Sequence, residues 1–260
     1  MIIRKKYFLV ILVVVLFGCD SVHAQEPILI TQSPDMNEVV FDGKWSFYTE
    51  WKRSSLDTLY YPDNTLIYLR TAHEDNFIYV FVDDVSETKF NKHGDFTIIC
   101  FAKDDKTSVA TENDYCFGNT LDGKNPFVLQ GGSPVGLSGN FKKIQNPDEF
   151  IGISSISDKN DRYAKIPHPS YEFRIPIDLI GRSSAYAFYL EVYHSNSKRI
   201  YSWPQETISE SPLKIPTPSD WGEIISPDKS LPEFPFPLFS LLSAIILVLY
   251  ITRKKHYLLI

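Results

Sequence analysis

The central part of the chain alternates short apolar runs with polar turns, and these runs have the length and composition of β-strands. Thr65–His73 and Phe77–Asp84 are rich in Ile, Tyr, Val and Phe, and they flank the polar residues Glu74-Asp75-Asn76. Two such runs on either side of a three-residue turn predict a β-hairpin. Residues 77–82 are apolar at every position, which is typical of a central strand covered on both faces of its sheet.

The same pattern recurs along the chain. Further strands are predicted at Asp95–Ala102, Asp114–Gly118, Phe150–Ser157, Ser170–Ile175, Ala185–His194, Arg199–Ser202 and Trp221–Ile225. One helical turn is predicted at Pro176–Ile180, where proline supplies the first-turn φ and Gly181 the stop. Short strands at this spacing, broken by 17 Pro and 12 Gly, indicate an all-β fold, an antiparallel β-sandwich, rather than a βαβ fold.

Two apolar runs near the chain ends carry their positive charges on opposite sides. Basic residues 4–6 precede Tyr7–Phe17, as in a signal peptide, whereas basic residues 253–255 follow Leu238–Ile251. Positive charge stays on the cytoplasmic side, so we predict an extracytoplasmic body at the cell surface, anchored in the cytoplasmic membrane by its C-terminus. The predicted parts are a signal peptide (1–24), one β-sandwich domain (26–230), a Pro-rich motif (231–237), a transmembrane helix (238–252) and a basic cytoplasmic tail (253–260).

The leader offers two processing sites. Small residues ending at Ala24 predict signal-peptidase cleavage before Gln25. The alternative is an imperfect lipobox that ends at Cys19, with the bulky Phe17 where a small residue is usual.

The C-terminal segment resembles a known sorting signal. Pro232, Glu233 and Phe234, followed by a short apolar stretch and a basic tail, resemble the PEF-type signals read by archaeosortase-like membrane enzymes. The resemblance implies a sorting enzyme that removes the tail and passes the new terminus to a lipid anchor. A helix over residues 236–251 would rise only about 24 Å against a hydrocarbon core of about 30 Å. A plain single-pass anchor is the alternative.

The charge of the predicted exported body limits its partners. Without the six basic residues beside the two apolar runs, 20 Lys and Arg face 32 Asp and Glu, a net charge of about −12. Such a surface repels nucleic acid and anionic headgroups, and it suits cations or neutral ligands. We therefore predict no nucleic-acid partner.

Two cysteines remain in the predicted mature body. Cys100 ends one apolar run and Cys116 opens the next, with a polar turn between them. In an oxidising compartment this arrangement predicts a disulfide between neighbouring antiparallel strands, worth roughly 3 kcal/mol in the chain-entropy model. Two buried free thiols are the alternative, which alkylation without reductant would reveal.

Two motifs resemble those of family 9 carbohydrate-binding modules. Val39–Trp45 runs from a strand into Asp42-Gly43, with Glu50-Trp51 soon after, and Tyr171–Gly181 gives a strand, Ile-Pro and a short helical turn. The resemblance covers residues 39–225 and implies a β-sandwich that binds sugar between aromatic side chains and holds structural calcium. The wider DOMON-like group also includes haem-binding electron carriers, so the fold alone does not define the ligand.

Four tryptophans are candidates for sugar stacking. Trp45 and Trp51 are interpreted as core or sheet-edge aromatics, because large aromatics dominate burial. Trp203 and Trp221 lie beside Pro204 and Gly222 near loops, where an exposed indole would stack on a sugar ring. These two are the predicted ligand-binding residues.

Acidic residues on turns of the first predicted strands suit a calcium ion, which prefers hard oxygen ligands in flexible loops. The candidate ligands are Asp83, Asp84, Asp95, Asp104, Asp105, Glu112 and Asp114. No EF-hand spacing is present, and a solvated acidic face is the alternative.

Catalytic signatures do not appear in the sequence. Gly131–Val135 fails the nucleophile-elbow pattern, and no metalloprotease, Walker or dinucleotide motif is found. The predicted function is non-catalytic binding of a polysaccharide or other glycan at the cell surface. The alternatives are a structural or adhesion component of the envelope and, less favoured, a haem-binding electron carrier ligated by His73 and His194.

Overall fold

A computed structural model describes residues 26–103, 107–123, 125–133, 140–207 and 209–227. Several predictions fall outside these ranges: the leader with Cys19, Ala24 and Gln25, the sorting motif Pro232-Glu233-Phe234, and the C-terminal segments 238–252 and 253–260. Within the described ranges, no helix is both long and apolar enough to cross a membrane.

The described residues form fourteen strands with few helical turns. In chain order the strands are β1 (Ile28–Leu29), β2 (Thr31–Gln32), β3 (Ser55–Tyr60), β4 (Leu66–Glu74), β5 (Phe77–Asp83), β6 (Phe96–Ala102), β7 (Tyr115–Thr120), β8 (Phe127–Gln130), β9 (Lys142–Ile144), β10 (Ile151–Ile156), β11 (Pro169–Pro176), β12 (Ala185–His194), β13 (Arg199–Trp203) and β14 (Gly222–Ile225). One α-helical turn, α1, spans Ile177–Ile180, and two 3-10 turns span Met36–Glu38 and Pro218–Asp220.

All nine predicted strands and the helical turn are present, with bounds that shift by at most two residues. The prediction missed β1, β2, β3, β8 and β9. The first two have only two residues each, and β9 begins with two lysines. Such short or charged segments become strands only because a longer neighbour supplies their hydrogen bonds.

The strands form two mixed sheets. The first sheet has the order β1-β14-β12-β6-β7-β8-β9, with β13 also pairing to β12, and the second has the order β10-β11-β5-β4-β2, with β3 also pairing to β4. All pairs are antiparallel except β1–β14 and β2–β4. The prediction of an antiparallel sandwich therefore needs this correction at one edge of each sheet.

One apolar core lies between the two sheets. Its residues from the first sheet include Ile99, Phe117 and Leu190, and those from the second include Leu69, Val80 and Phe173. The prediction that residues 77–82 form a strand covered on both faces is confirmed, because Ile78–Asp83 are all buried.

The outer face of each sheet is also covered, by a cap of loops. The first cap, residues 107–111, 140–141 and 209–221, places Ala110, Phe141, Ile215 and Trp221 on the first sheet. The second cap, residues 34–54 and 157–168, packs on the second sheet. Residues that point away from the core are therefore buried as well.

The disulfide between Cys100 and Cys116 is confirmed. The two residues are directly opposite each other on β6 and β7, with Cα atoms 4.0 Å apart. Both sulfurs lie on the outer face of the first sheet, among the apolar residues under the first cap.

The Asp-Gly turn in the second cap has the structural role that the sequence predicts. Gly43 has φ of +84°, and a Cβ there would lie 2.3 Å from the backbone of Ser154. Asp42 accepts a hydrogen bond from the Lys44 backbone N–H within the turn. Trp45 and Trp51 are buried, as expected for core aromatics.

Candidate functional site

Both tryptophans predicted to stack on sugar are buried in the structure. Trp203 is 2% exposed and packs on Phe188, while Gly222 leaves room for the edge of its indole. Trp221 is 1% exposed, and its ring stacks on Phe141 and on Tyr189, each with centroids 6.2 Å apart. The expectation of exposed indoles is therefore corrected, because both rings fill apolar space that a sugar ring does not reach.

The predicted calcium ligands that the structure describes do not form a common site. Asp95 accepts hydrogen bonds from the backbone of Asn91 and Ser195, and Asp114 accepts one from Thr111 within its own turn. Asp83 and Asp84 are buried beside histidines. Among the described residues no group of three or more carboxylates alone has its ligand atoms within 4.8 Å of one another.

A calcium ion needs six to eight oxygen ligands, so the described members of the predicted set do not fit it. Asp104 and Asp105 lie outside the described residues.

The haem alternative requires a histidine nitrogen that is free to bind iron. His194 has one ring nitrogen beside Asp84 and the other beside Glu87, which leaves neither nitrogen for iron.

A line of aromatic and guanidinium groups crosses the outer side of the second sheet. We call it the tyrosine band, and it consists of Tyr48, Tyr60, Tyr68, Arg162 and Tyr163. Tyr48 is 68% and Tyr60 is 64% exposed, the two largest exposures among the large hydrophobic side chains described. The band thus contains the two most exposed large aromatic side chains in the described part of the chain.

The sheet and the second cap position the rings of the band. Tyr68 points outward from β4, because its neighbours Ile67 and Leu69 point into the core. The Tyr68 and Tyr163 rings stack with centroids 4.0 Å apart. Tyr163 is held by Arg70, whose Nε donates to the tyrosine hydroxyl at 2.8 Å.

Arg70 is fixed in turn by the second cap. Its Nη1 donates to the carbonyl oxygens of Trp51 and Ser54, both at 3.0 Å. A buried guanidinium with these partners is rigid, and it fixes the position of Tyr163 in the band.

The far end of the band combines aromatic rings with positive charge. The Arg162 guanidinium lies 5.4 Å from the centre of the Tyr48 ring, and the Lys52 ammonium lies 4.9 Å from it. A hydrogen bond from Arg162 and the charges of Lys52 and Arg162 lower the pKa of the Tyr48 hydroxyl. This end of the band presents hydrogen-bond donors next to an aromatic face.

A cleft of about 450 Å³ adjoins this end of the band. It is lined by Pro34, Asp35, Met36, Glu38, Phe47, Thr49, Glu50, Lys52 and Arg53. Arg53 and Asp35 form an ion pair, and Glu50 accepts backbone N–H groups of Val40 and Ser46. The cleft therefore holds several fixed polar groups around the partly exposed ring of Phe47.

Sequence reasoning did not single out these residues. The pattern predicts Tyr68 only as part of a strand, and Tyr60 belongs to β3, which the pattern does not predict. The available signal was the alternation on β4, which places Tyr68 and Arg70 on the face opposite to Ile67 and Leu69. Tyr163 and Arg162 lie in a loop, and only the folded chain brings them to the sheet.

Comparisons with known proteins find similar solved structures at low sequence identity. No protein-family model and no curated protein matches the chain. Among solved structures, a family 9 carbohydrate-binding module from Caldicellulosiruptor kristjanssonii in complex with cellotriose is similar at 13% identity and a TM-score of 0.47, covering 81% of this chain and 100% of that one. A family 9 module from the same organism in complex with glucose is 12% identical, with a TM-score of 0.47, covering 77% of this chain and 95% of that one.

Proposed function

We propose that this protein binds carbohydrate without catalysis, at the tyrosine band and the adjoining cleft. The observation that carries the proposal is the group of half-buried and exposed tyrosine rings on one side of the sandwich, beside a cleft lined by charged groups. The apolar C–H face of a sugar ring packs on an aromatic face, while its hydroxyl groups require several fixed donors and acceptors. The band and the cleft place both kinds of group side by side.

The proposal includes an extracytoplasmic location at the cell surface, with the C-terminal apolar segment as the membrane anchor. The charge asymmetry of the two terminal runs supports it, and so does the Cys100–Cys116 disulfide, since disulfides persist in oxidising compartments. Processing by a sorting enzyme at Pro232-Glu233-Phe234 belongs to the same proposal. A protease added to intact cells should digest the body, and failure to do so would contradict the location.

Binding of the purified protein to a glycan array tests the carbohydrate proposal. The array should include cellotriose and glucose, and a positive glycan is then titrated by calorimetry. We expect Tyr60→Ala and Tyr48→Ala each to weaken binding by about tenfold, or about 1.4 kcal/mol. Tyr60→Phe should bind like the wild type if the ring face makes the contact.

Val109→Ala provides the matched control. Val109 is 55% exposed and belongs to the first cap, on the other side of the sandwich. It should leave binding unchanged. An array without any signal, or a signal that both tyrosine variants leave intact, would reject the band as the sugar site.

A structural or adhesion role is the second candidate. It is favoured by exposed apolar groups on the same side of the sandwich as the band: Leu56 on β3, opposite Arg70, is 43% exposed, and Ile166 in the second cap is 62% exposed. Apolar side chains grouped on a surface mark protein contacts. A silent glycan array together with self-association that Leu56→Ser abolishes would favour this role.

A further inference from the structure

The outer face of the second sheet carries a buried group of two carboxylates and one imidazole. Asp83 ends β5, while Asp161 and His168 come from the second cap, and their exposures are 0%, 2% and 0%. One ligand atom from each lies within 4.8 Å of the other two. Among the described residues, no other group of three or more His, Cys, Asp or Glu side chains has this spacing.

The hydrogen bonds of His168 determine which ring nitrogen faces the carboxylates. Its Nδ1 lies 2.7 Å from the carbonyl oxygen of Ile166 and 2.9 Å from the Ser157 hydroxyl, which can either donate or accept. The carbonyl is the nearer of the two and only accepts, so we assign the hydrogen to Nδ1, with the Ser157 hydroxyl as a second acceptor. In the neutral ring, Nε2 then presents its lone pair 2.8 Å from Asp83 Oδ1 and 3.9 Å from Asp161 Oδ2. A lone pair that faces two carboxylates requires a positive charge between them.

Two oxygens of this group have no hydrogen-bond donor. Asp83 Oδ2 and Asp161 Oδ2 are both buried and unpartnered, and a buried carboxylate oxygen in that state is costly. The distance of 3.9 Å from Nε2 shows that Asp161 Oδ2 faces the histidine. A single proton on Nε2 would leave the group with a net charge of −1, whereas a divalent ion bound to the neutral ring makes it neutral.

The remaining atoms of the group are held in place. Asp83 Oδ1 accepts from the Ser170 hydroxyl at 2.9 Å. Asp161 Oδ1 accepts from the backbone N–H groups of Tyr163 and Ala164, at 2.7 and 2.9 Å. Metal-binding imidazoles and carboxylates in proteins are typically oriented by such outer contacts, including a ring N–H that donates to a backbone carbonyl.

We propose that Asp83, Asp161 and His168 bind a divalent transition-metal ion such as Zn²⁺. One imidazole nitrogen with carboxylate oxygens suits this class of ion, whereas Ca²⁺ prefers an all-oxygen shell. Two ligand atoms bound about 2.0–2.1 Å from a tetrahedral ion are about 3.3 Å apart. The observed separations of 2.8 and 3.9 Å lie on either side of that value. The ion would link the second cap to β5.

Metal binding by the full-length protein tests the proposal. The protein is stripped with a chelator, and Zn²⁺ and Co²⁺ are titrated by calorimetry with metal analysis after gel filtration. We expect one equivalent of metal per chain, a higher melting temperature with Zn²⁺, and visible Co²⁺ absorption typical of tetrahedral nitrogen and oxygen ligands. Wild-type protein that takes up neither ion would overturn the proposal, and this measurement needs no variant.

Asp161→Asn is the informative substitution, because asparagine keeps the Oδ1 acceptor for the two backbone N–H groups and removes the charge of Oδ2. We expect it to weaken Zn²⁺ binding at least tenfold. His194→Gln is the matched control, since His194 is also buried between carboxylates but has a carboxylate on each ring nitrogen. It should bind Zn²⁺ like the wild type.

Unchanged Zn²⁺ affinity in Asp161→Asn would assign the metal to a surface site and overturn the proposal. The same conclusion follows if His194→Gln loses the metal while its near-ultraviolet circular dichroism stays that of the wild type.

Discussion

The two outer faces of the sandwich are both buried under caps, but different forces hold the caps in place. Under the first cap the contacts are mainly apolar, with Trp221 stacked between Phe141 and Tyr189 and the Cys100–Cys116 disulfide beside them. Under the second cap, large aromatics alternate with buried charged groups such as Arg70 and the aspartates beside His168. The first cap is held mainly by the close packing of apolar side chains. The second cap is held in addition by hydrogen bonds between buried donors and acceptors.

One fully buried glutamate on each face shows the difference. Glu191 on β12 accepts from the Tyr189 hydroxyl at 2.8 Å and from the Leu213 backbone N–H at 3.1 Å. Glu172 on β11 accepts from the Trp51 indole N–H at 2.9 Å and from the backbone N–H groups of Asp42 and Gly43. Each glutamate therefore links a strand of its sheet to the cap above it by hydrogen bonds. Only Glu191 has a partner, the tyrosine hydroxyl, that can also accept a hydrogen bond.

The largest expected effect on stability comes from a substitution under the first cap. Trp221→Ala should lower the free energy of unfolding by about 3–5 kcal/mol, because it leaves a cavity between Phe141 and Tyr189. Denaturant unfolding measures the change. Glycan binding by the folded fraction should stay at the wild-type level. A loss of glycan binding without a loss of stability would show instead that Trp221 contacts the ligand.

The disulfide should contribute slightly less to the free energy of unfolding than the Trp221 side chain does. Replacing Cys100 and Cys116 together by Ala is expected to lower the free energy of unfolding by about 3 kcal/mol, since the bond closes a loop with a sequence separation of 16. Thermal unfolding with and without reductant checks this, and the double variant should no longer respond to reductant. A reductant response that persists in the variant would contradict the assignment.

A matched pair of substitutions tests the polar difference directly. Glu172→Gln should cost about 2 kcal/mol, because the new amide N–H₂ must face at least one buried N–H donor. Glu191→Gln should cost less than about 1 kcal/mol, because the Tyr189 hydroxyl can turn and accept. Urea unfolding measures both changes. If the two variants lose the same free energy of unfolding, the hydrogen bonds of the two glutamates do not differ in the way proposed.

The smallest expected effect is a pH dependence that originates under the first cap. Burial raises the pKa of Glu191 above its ordinary value of 4.5, although hydrogen bonds from Leu213 and Tyr189 oppose the shift. A carboxyl whose pKa is raised in the folded state stabilises the fold below its unfolded pKa, and that contribution is lost as the pH rises. The stability of the wild type relative to Glu191→Gln should therefore fall as the pH rises above 4.5. A difference that is flat or rises with pH would contradict this assignment.

The hydrophobic pattern identified the strands that fill the core. β4, β5 and β12 combine length, β-branched and aromatic residues and clear turns, so their existence follows from local sequence. The pairing of Cys100 with Cys116 was also predictable, since the two residues end and begin adjacent apolar runs. The short strands β1 and β2 were not predictable, because two residues carry too little pattern and their hydrogen bonds depend on β14 and β4.

Candidate sites were less predictable than strands. Trp203 and Trp221 lie next to Pro and Gly in the sequence, and that neighbourhood suggested exposure, but the caps fold back over both rings. Asp161 and His168 carried no spacing signal, since their partner Asp83 is 78 residues earlier than Asp161 in the chain. The contacts that would create a site are long-range.

The sequence by itself determined the all-β class, the nine main strands and the disulfide, because these depend on the periodicity and order of neighbouring residues. The tertiary structure decided which tryptophans are core, which tyrosines face solvent and which carboxylates share a histidine. Those outcomes depend on how two loop caps pack on the outer faces of the sheets. Side chains from distant segments meet there, and no local pattern encodes their distances.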